Sequence, residues 1–562
     1  MRKNLFIFLL MIGIAHAQVN FAEWTKFIEG TDHSNTNMNN IITDGEFLYV
    51  NGIYFGETST FGDVTLPAYD GPNGLISKLT TTGDVIWTAT FGGNGLDAFY
   101  DIKLDHEGNI IAAGWTSSEG DLTINGTHTI PGGGPEWTNR GIVAKFSGTD
   151  GSLIWEKTWY AAEYYYANPV KIESDYSGNV YIAGYYSGAF EIDSTPFSYT
   201  MEYGDNLFLA KFNSDGELTW GKTFEGDDSG TWGNITSMDS NENGLYFVMS
   251  YNKPYLLNDE PMAHEGETYW VGIVNIDFIT GDVIQHKSFG TSTSDQGGSS
   301  LIIDSEGNVI VGGHFTEGNN FAIQGIALSG YGSEDGYVAK FNSDLEVIWA
   351  KALGGEYLDR VFNLYVNQNN DVFVGGGFDS YTDFSYDGQS IIDAQSPNSL
   401  SMFEMYLNSE GEFQKVVALH GYDEFSILSN TGTVVLENNE IYTTGRLSGK
   451  AYFQDGGELI DTFEHNLGFV MKWDTNFEVL GLNEITNNGF AAYPNPFQNH
   501  LNILSSKTIA FDAKVYDLTG KLVYNAQSVT GKALNLGHLA KGIYILKLEG
   551  DQYSQTMKII KK

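Results

Sequence analysis

One acidic residue stands at a comparable point in each of seven segments of the chain: Asp32, Asp97, Glu163, Asp227, Asp295, Asp359 and Asp423. Carboxylates gathered in one place bind hard cations through oxygen, or attract a cationic group on a ligand. The expectation is a carboxylate-lined mouth that holds Ca2+ or a cationic group. A chain with 71 acids also places one in many polar loops by chance. No D-x-D-x-D-G run supplies a ready-made cation loop. Aromatic residues accompany the acids, among them Trp137, Tyr164, Tyr165, Tyr166, Trp232 and Tyr357. Their rings can stack on sugars or simply pack loops. The chain contains no G-x-S-x-G elbow, no H-E-x-x-H and no phosphate-cradling loop. Its 11 histidines are scattered, with His106 in a turn and His314 after a strand. A carboxylate pair for glycoside cleavage stays open, because the separation of two acids is a tertiary property.

The acids must be positioned by elements that recur. The pattern D-x-x-G-N-x-x-x-x-G appears as DHEGNIIAAG, DYSGNVYIAG and DSEGNVIVGG, ending at Gly114, Gly184 and Gly313. Weaker copies end at Gly52, Ser250, Gly376 and Gly445. Each copy reads as four strands with short Gly/Asn/Asp turns after the first and third. Four strands in about 65 residues, repeated seven times, predict an all-β, seven-bladed β-propeller over residues 18–480. The fourth strand of most copies carries a tryptophan: Trp87, Trp155, Trp220 and Trp349. A residue fixed at one site per repeat predicts packing between neighbouring blades. The last copy lacks it, and Trp24 near the N-terminus matches it. The N-terminal strand is therefore expected to complete the last blade and remove a loose edge. Gln285 and Lys415 occupy the site in the fourth and sixth copies, which should pack differently. A lysine before the last turn of several copies (Lys78, Lys145, Lys211, Lys340, Lys472) is expected to pair with a turn carboxylate.

Strand topology sorts the loops. Connections after the second and fourth strands share one face, and they hold nearly all the length and variety. Long loops on a rigid scaffold are the usual place for function. The repeat unit resembles the seven-bladed propeller repeats of bacterial surface proteins. Its outer hairpin is similar to the tryptophan-docking motif of pyrroloquinoline-quinone-type propellers. The resemblance implies the fold and carries no cofactor-binding set, since propellers host many unrelated activities.

The ends of the chain read as addresses. Arg2 and Lys3, an apolar run from Leu5 to Ile14 and Ala15-His16-Ala17 predict a signal peptide over residues 1–17, cleaved between Ala17 and Gln18. No stretch is long and apolar enough to cross a membrane. Residues 481–489 read as a polar linker and residues 490–562 as a small β-sandwich. The tail carries nine Lys and four acids against 18 Lys/Arg and 67 acids in residues 18–489, so a basic module follows a strongly acidic body. The tail resembles the type A C-terminal sorting domain of the type IX secretion system of Bacteroidota. The matching residues are Tyr493-Pro494-Asn495-Pro496, Asp517 with Gly520 and Lys521, Gly542 with Tyr544, and Lys558. The resemblance implies Sec export, passage through the outer membrane by the type IX machinery, and removal of the tail. Release or attachment to surface glycolipid would follow.

A net charge of −42 argues against nucleic acid as a partner, because phosphate binding needs a basic footprint. The absence of cysteine excludes thiol catalysis and thiolate metal sites. The expected role is a secreted or surface-displayed binding module for glycan or protein ligands, with no cofactor required and Ca2+ an optional ligand. A polysaccharide hydrolase or lyase on the loop-rich face is the second reading, and a structural surface-layer component the third.

Overall fold

The computed structural model describes residues 22–474, apart from loop segments at 31–34, 57, 135–137, 163, 200–203, 227–229, 259, 294, 317–320, 380–381, 393–398, 437–438 and 455–457, together with 490–493, 500–505, 511–517, 521–529, 534–550 and 553–561. The chain divides into two compact units, one spanning His16–Thr475 and the other holding Asn476–Lys562. The predicted signal peptide, its Ala17–Gln18 cleavage point and the linker 481–489 lie outside the described residues.

Every regular element described is a strand. In the larger unit these strands build seven antiparallel meanders. The first runs Asn37–Thr43, Phe47–Tyr54, Asn73–Thr80 and Val85–Gly92, each strand pairing with the next. The second runs Asp97–Leu104, Ile110–Thr116, Arg140–Phe146 and Leu153–Tyr160. Meanders three to six begin with Tyr166–Ser174, Gly233–Asn241, Gln296–Ile303 and Asp359–Val366. The seventh takes Ile427–Val435, Ile441–Ala451 and Ile460–Trp473, and its outer strand is Ala22–Glu29 from the other end of the chain. Trp24 pairs with Lys472 in that register.

Second strands such as Ile110–Thr116 are apolar on both sides because both sides are covered by neighbouring meanders. The apolar clusters lie between meanders. One joins Tyr49, Ile76 and Phe91 of the first to Phe99, Ile110 and Ile142 of the second. Another joins Val434, Tyr442 and Val470 of the seventh to Met38, Val50 and Leu75 of the first. Each first strand also carries a β-bulge, for example between Phe99 and Asp101 and between Val361 and Asn363. Such bulges sharpen the local twist.

The repeated motifs have local and non-local explanations. In D-x-x-G-N, Asp105 Oδ1 accepts from Glu107 N at 2.9 Å and Asn109 N at 2.8 Å, an Asx turn that closes the hairpin. The outer-strand tryptophans donate to the outer turn of the next meander: Trp24 Nε1 to Thr81 O at 3.1 Å, Trp155 to Ser214 O at 3.1 Å and Trp349 to Ser409 O at 3.2 Å. Each ring lies on a glycine of that turn. A Cβ on Gly216, whose φ is +80°, would sit 2.8 Å from the Trp155 ring. Where Gln285 replaces tryptophan, its amide donates to Ser343 O at 2.6 Å, and the facing turn carries Leu345 at φ 57° in place of glycine. Lys415 faces a meander whose outer hairpin has no covalent turn, because its two strands come from opposite ends of the chain.

The lysines have two kinds of partner. Lys145, Lys340 and Lys472 pair with Asp105, Asp304 and Glu440 at 2.7, 2.8 and 2.6 Å, as expected. Lys78 and Lys211 donate to the turn carbonyls of Gly148 and Phe278 in the next meander, and Lys340 does both, also donating to Ser409 O at 3.3 Å.

The smaller unit packs two sheets over a shared core that includes Leu501, Val515, Leu534, Leu546 and Ile559. One sheet holds His500–Ser505, and the other runs Leu522–Val529, Phe511–Asp517, Gly542–Gly550 and Tyr553–Lys561. Asp517 and Lys521 close a turn, with Asp517 N donating to Lys521 O at 2.9 Å and Lys521 N to Asp517 Oδ1 at 3.0 Å. Gly542 opens a strand, and Tyr544 donates to Ala540 O at 2.9 Å. Tyr493 ends Phe490–Tyr493 and Lys558 lies in Tyr553–Lys561. Pro494, Asn495, Pro496 and Gly520 fall outside the described residues.

Candidate functional site

The seven acids do not share one environment. Asp32, Glu163 and Asp227 lie outside the described residues. Asp97 and Asp359 are fully buried at the start of first strands. Asp97 accepts from Gly93 N at 2.6 Å, from Ser118 Oγ at 2.8 Å and from Thr116 Oγ1. Burial pushes its carboxyl up to about 6 against these hydrogen bonds. Asp359 accepts from Gly355 N at 2.6 Å, and burial, reinforced by Asp335, raises it to about 8. Both residues organise the loop that enters their strand. Asp295 is exposed and accepts from Tyr269 N at 3.0 Å. Asp423 is half-buried, accepts from Ser426 Oγ at 2.6 Å and lies 3.8 Å from Lys450 Nζ. Among the described residues no group of three His, Cys, Asp or Glu could hold a metal ion.

The first strands of all seven meanders surround a cavity of about 320 Å³. Its wall mixes polar and apolar side chains, and several of its charged groups are paired between neighbours. Asn40 Nδ2 donates to Asp101 Oδ1 at 2.7 Å, and Ile172 N donates to Asp101 Oδ2 at 3.2 Å. Lys103 Nζ lies 2.6 Å from Glu173 and 4.0 Å from Asp239. Burial raises the Glu173 carboxyl and Lys103 opposes it. Asn363 reaches Asn430 at 2.8 Å, and Asn430 reaches the buried Glu404 at 2.6 Å.

The long connections after second strands are more ordered than their composition suggests. In six meanders they contain a small hairpin, such as Leu122–Ile124 with His128–Ile130 or Phe384–Tyr386 with Gln389–Ile392. Several of these hairpins extend the outer strand of the preceding meander: Thr123 pairs with Gly92, Ser385 with Gly354 and Phe61 with Ile28. Much of that loop length therefore covers strand edges. Its sequence signal was the turn chemistry inside each loop, as at Asn125-Gly126 and Asp387-Gly388, where φ is positive.

What these hairpins leave exposed is aromatic. On the face of the long connections stand Tyr164, Tyr165, Trp232 and Tyr357, and also Phe55, Tyr269, Tyr422, Phe425 and Tyr452, which the sequence reading passed over. On the opposite face, Tyr176 is the one exposed aromatic among the described residues. Tyr166, by contrast, is half-buried and donates to Asp205 at 2.5 Å, and Trp137 lies outside the described residues. The segment GYDEF, polar except for its rings and set between two apolar strands, was the missed signal.

A serine–histidine contact on this face is not a displayed nucleophile. Ser401 Oγ lies 3.1 Å from His420 Nδ1, but Ser401 is fully buried, and burial holds His420 down to about 4, neutral at ordinary pH. His314 is likewise lowered by burial.

No curated protein sequence matches the chain. Solved structures match at low similarity. A protein of unknown function from Dyadobacter fermentans is 10% identical, covering 66% of this chain and 93% of that one, with a TM-score of 0.35. The quinohemoprotein alcohol dehydrogenase of Comamonas testosteroni is 10% identical, with 82% and 78% covered and a TM-score of 0.37. The polysaccharide lyase Uly1 is 9% identical, with 82% and 98% covered and a TM-score of 0.37. Residues 491–562 match the secretion system C-terminal sorting domain, so the chain carries the type IX tail that sends a protein to the cell surface or the extracellular space.

Proposed function

We propose that residues 18–480 are a seven-bladed β-propeller of a Bacteroidota cell, exported by the type IX machinery, whose loop-rich face binds an extracellular glycan or protein ligand. The seven meanders, the apolar clusters between neighbours and the pairing of Ala22–Glu29 with Ile460–Trp473 support the blade count. The observation that carries the binding reading is the one-sided distribution of exposed aromatics. Exposed apolar surface costs free energy in water, and a concentration of it on one face marks an interaction site. On the turn face, among the described residues, the exposed apolar side chains at the turns are isolated ones, Tyr176 and Ile279.

The test is an array of glycans and polysaccharides probed with the secreted chain, scored for retention and for product release. Retention without turnover supports the reading. Turnover overturns it in favour of a hydrolase or lyase, and neither signal favours a structural role in the surface layer. The cation proposal is carried forward for Asp295 and Asp423, whose carboxylates reach solvent. A melting temperature that rises with Ca2+ and falls with chelator would support it, and indifference to both would end it.

A further inference from the structure

We propose that the junction of the sixth and seventh meanders is a stacking platform for a neutral polysaccharide, with Tyr422, Phe425 and Tyr452 as its ring faces. This rests on the binding reading above and names its site and ligand class. Phe425 is 76% exposed and Tyr422 47% exposed. The Tyr422 and Tyr452 rings stand 5.6 Å apart at 76°, one edge against the other face.

The rings sit on a backbone locked before any ligand arrives. Tyr422 N donates to Lys450 O at 2.7 Å, and Gly421 bridges to Ala451. Ser426 Oγ, buried beneath, donates to Asp423 Oδ1 at 2.6 Å and accepts from Lys450 N at 3.0 Å. A ring surface held this way loses little conformational entropy on binding. Beside it, Lys450 Nζ lies 3.3 Å from Asp461 Oδ2 and 3.8 Å from Asp423 Oδ2, all three side chains partly exposed. Sugars present an apolar C–H face to aromatic rings and hydroxyls to carboxylates and ammonium groups. These donors and acceptors lie next to the rings and fit that division. Two carboxylates to one ammonium, on a body whose residues 18–489 hold 67 acids against 18 Lys/Arg, disfavour an anionic chain.

The secreted protein should be retarded in affinity gels containing galactomannan or mixed-linkage glucan, and not by alginate or polygalacturonate. Tyr422→Ala and Phe425→Ala should each weaken retention at least about tenfold, the usual effect of losing a central aromatic anchor. Tyr176→Ala, at a side chain 93% exposed on the opposite face, should change nothing. The substituted rings are exposed, so unchanged melting temperatures certify the variants as folded. Retention lost with Trp232→Ala but kept in Tyr422→Ala and Phe425→Ala overturns the platform and leaves the binding reading standing. Retention by the uronate polymers alone, or capture only of a protein, overturns the ligand class. No retention by any polymer, together with no capture of a protein, sinks both.

Discussion

Replacing Gly216 with alanine adds one methyl group where two meanders meet. Two costs are expected, and a control separates them. The first is conformational: Gly216 has φ +80°, and alanine in the left-handed region costs about 1–2 kcal/mol, partly offset by about 0.4–1 kcal/mol of lost denatured-state freedom. Gly108, at φ +78° with nothing within 4 Å of its Cβ position, isolates that cost, so Gly108→Ala should destabilise by about 1 kcal/mol or less. The second cost is steric. The new Cβ would lie 2.8 Å from the Trp155 ring, closer than carbon atoms tolerate, so the indole must shift and strain its bond to Ser214 O. Overpacking of this kind adds about 1–3 kcal/mol. Gly216→Ala should therefore destabilise by roughly 2–3 kcal/mol, measured by urea unfolding followed by tryptophan fluorescence. In a Trp155→Ala background the excess over Gly108→Ala should vanish, since the colliding ring is gone. Equal effects of the two glycine substitutions, or an excess that survives removal of Trp155, would refute the docking argument.

Gln285→Trp alone should destabilise, because the fully buried Leu345 fills the place that glycine yields elsewhere; with Leu345→Gly added, thermal unfolding should show the pair less damaged than the sum by about 1 kcal/mol or more. Glu404 accepts three hydrogen bonds on Oε1 while burial raises its carboxyl from 4.5 to about 7, so its contribution to stability is full below pH 4.5 and is lost as pH rises through 7. Glu404→Gln should remove up to about 3 kcal/mol of the stability change between pH 5 and pH 8, and an unaltered pH profile would contradict this. Lys340→Met should cost about 1.5–3 kcal/mol, because it removes the ammonium paired with the buried Asp304 carboxylate, which keeps its bonds from Glu306 N and Asn308, and unfolding midpoints should show Lys287→Met, at a pair exposed on both sides, costing less than about 1 kcal/mol.

Much of this molecule is written locally. The D-x-x-G-N turns, the alternation into four strands per repeat and the tryptophan at one site of the outer strand are short-range patterns, and the copies repeat one another. The match of Trp24 to Trp155 and Trp349 pointed to the pairing of Ala22–Glu29 with Ile460–Trp473, because identical docking geometry demands identical residues. The tail was legible for the same reason: its motifs act as an address over a short span. What a side chain meets across a boundary between meanders was not legible. Asp97 and Asp423 occupy similar places in their repeats, yet one is buried under Gly93, Thr116 and Ser118 and the other reaches solvent beside Lys450. Long loops rich in Gly and Asp look alike as text, whether they fold as hairpins against a neighbour or carry Tyr422 and Phe425 into water. Those outcomes depend on contacts between residues separated by many tens of positions, and the local pattern does not specify which neighbour will be there.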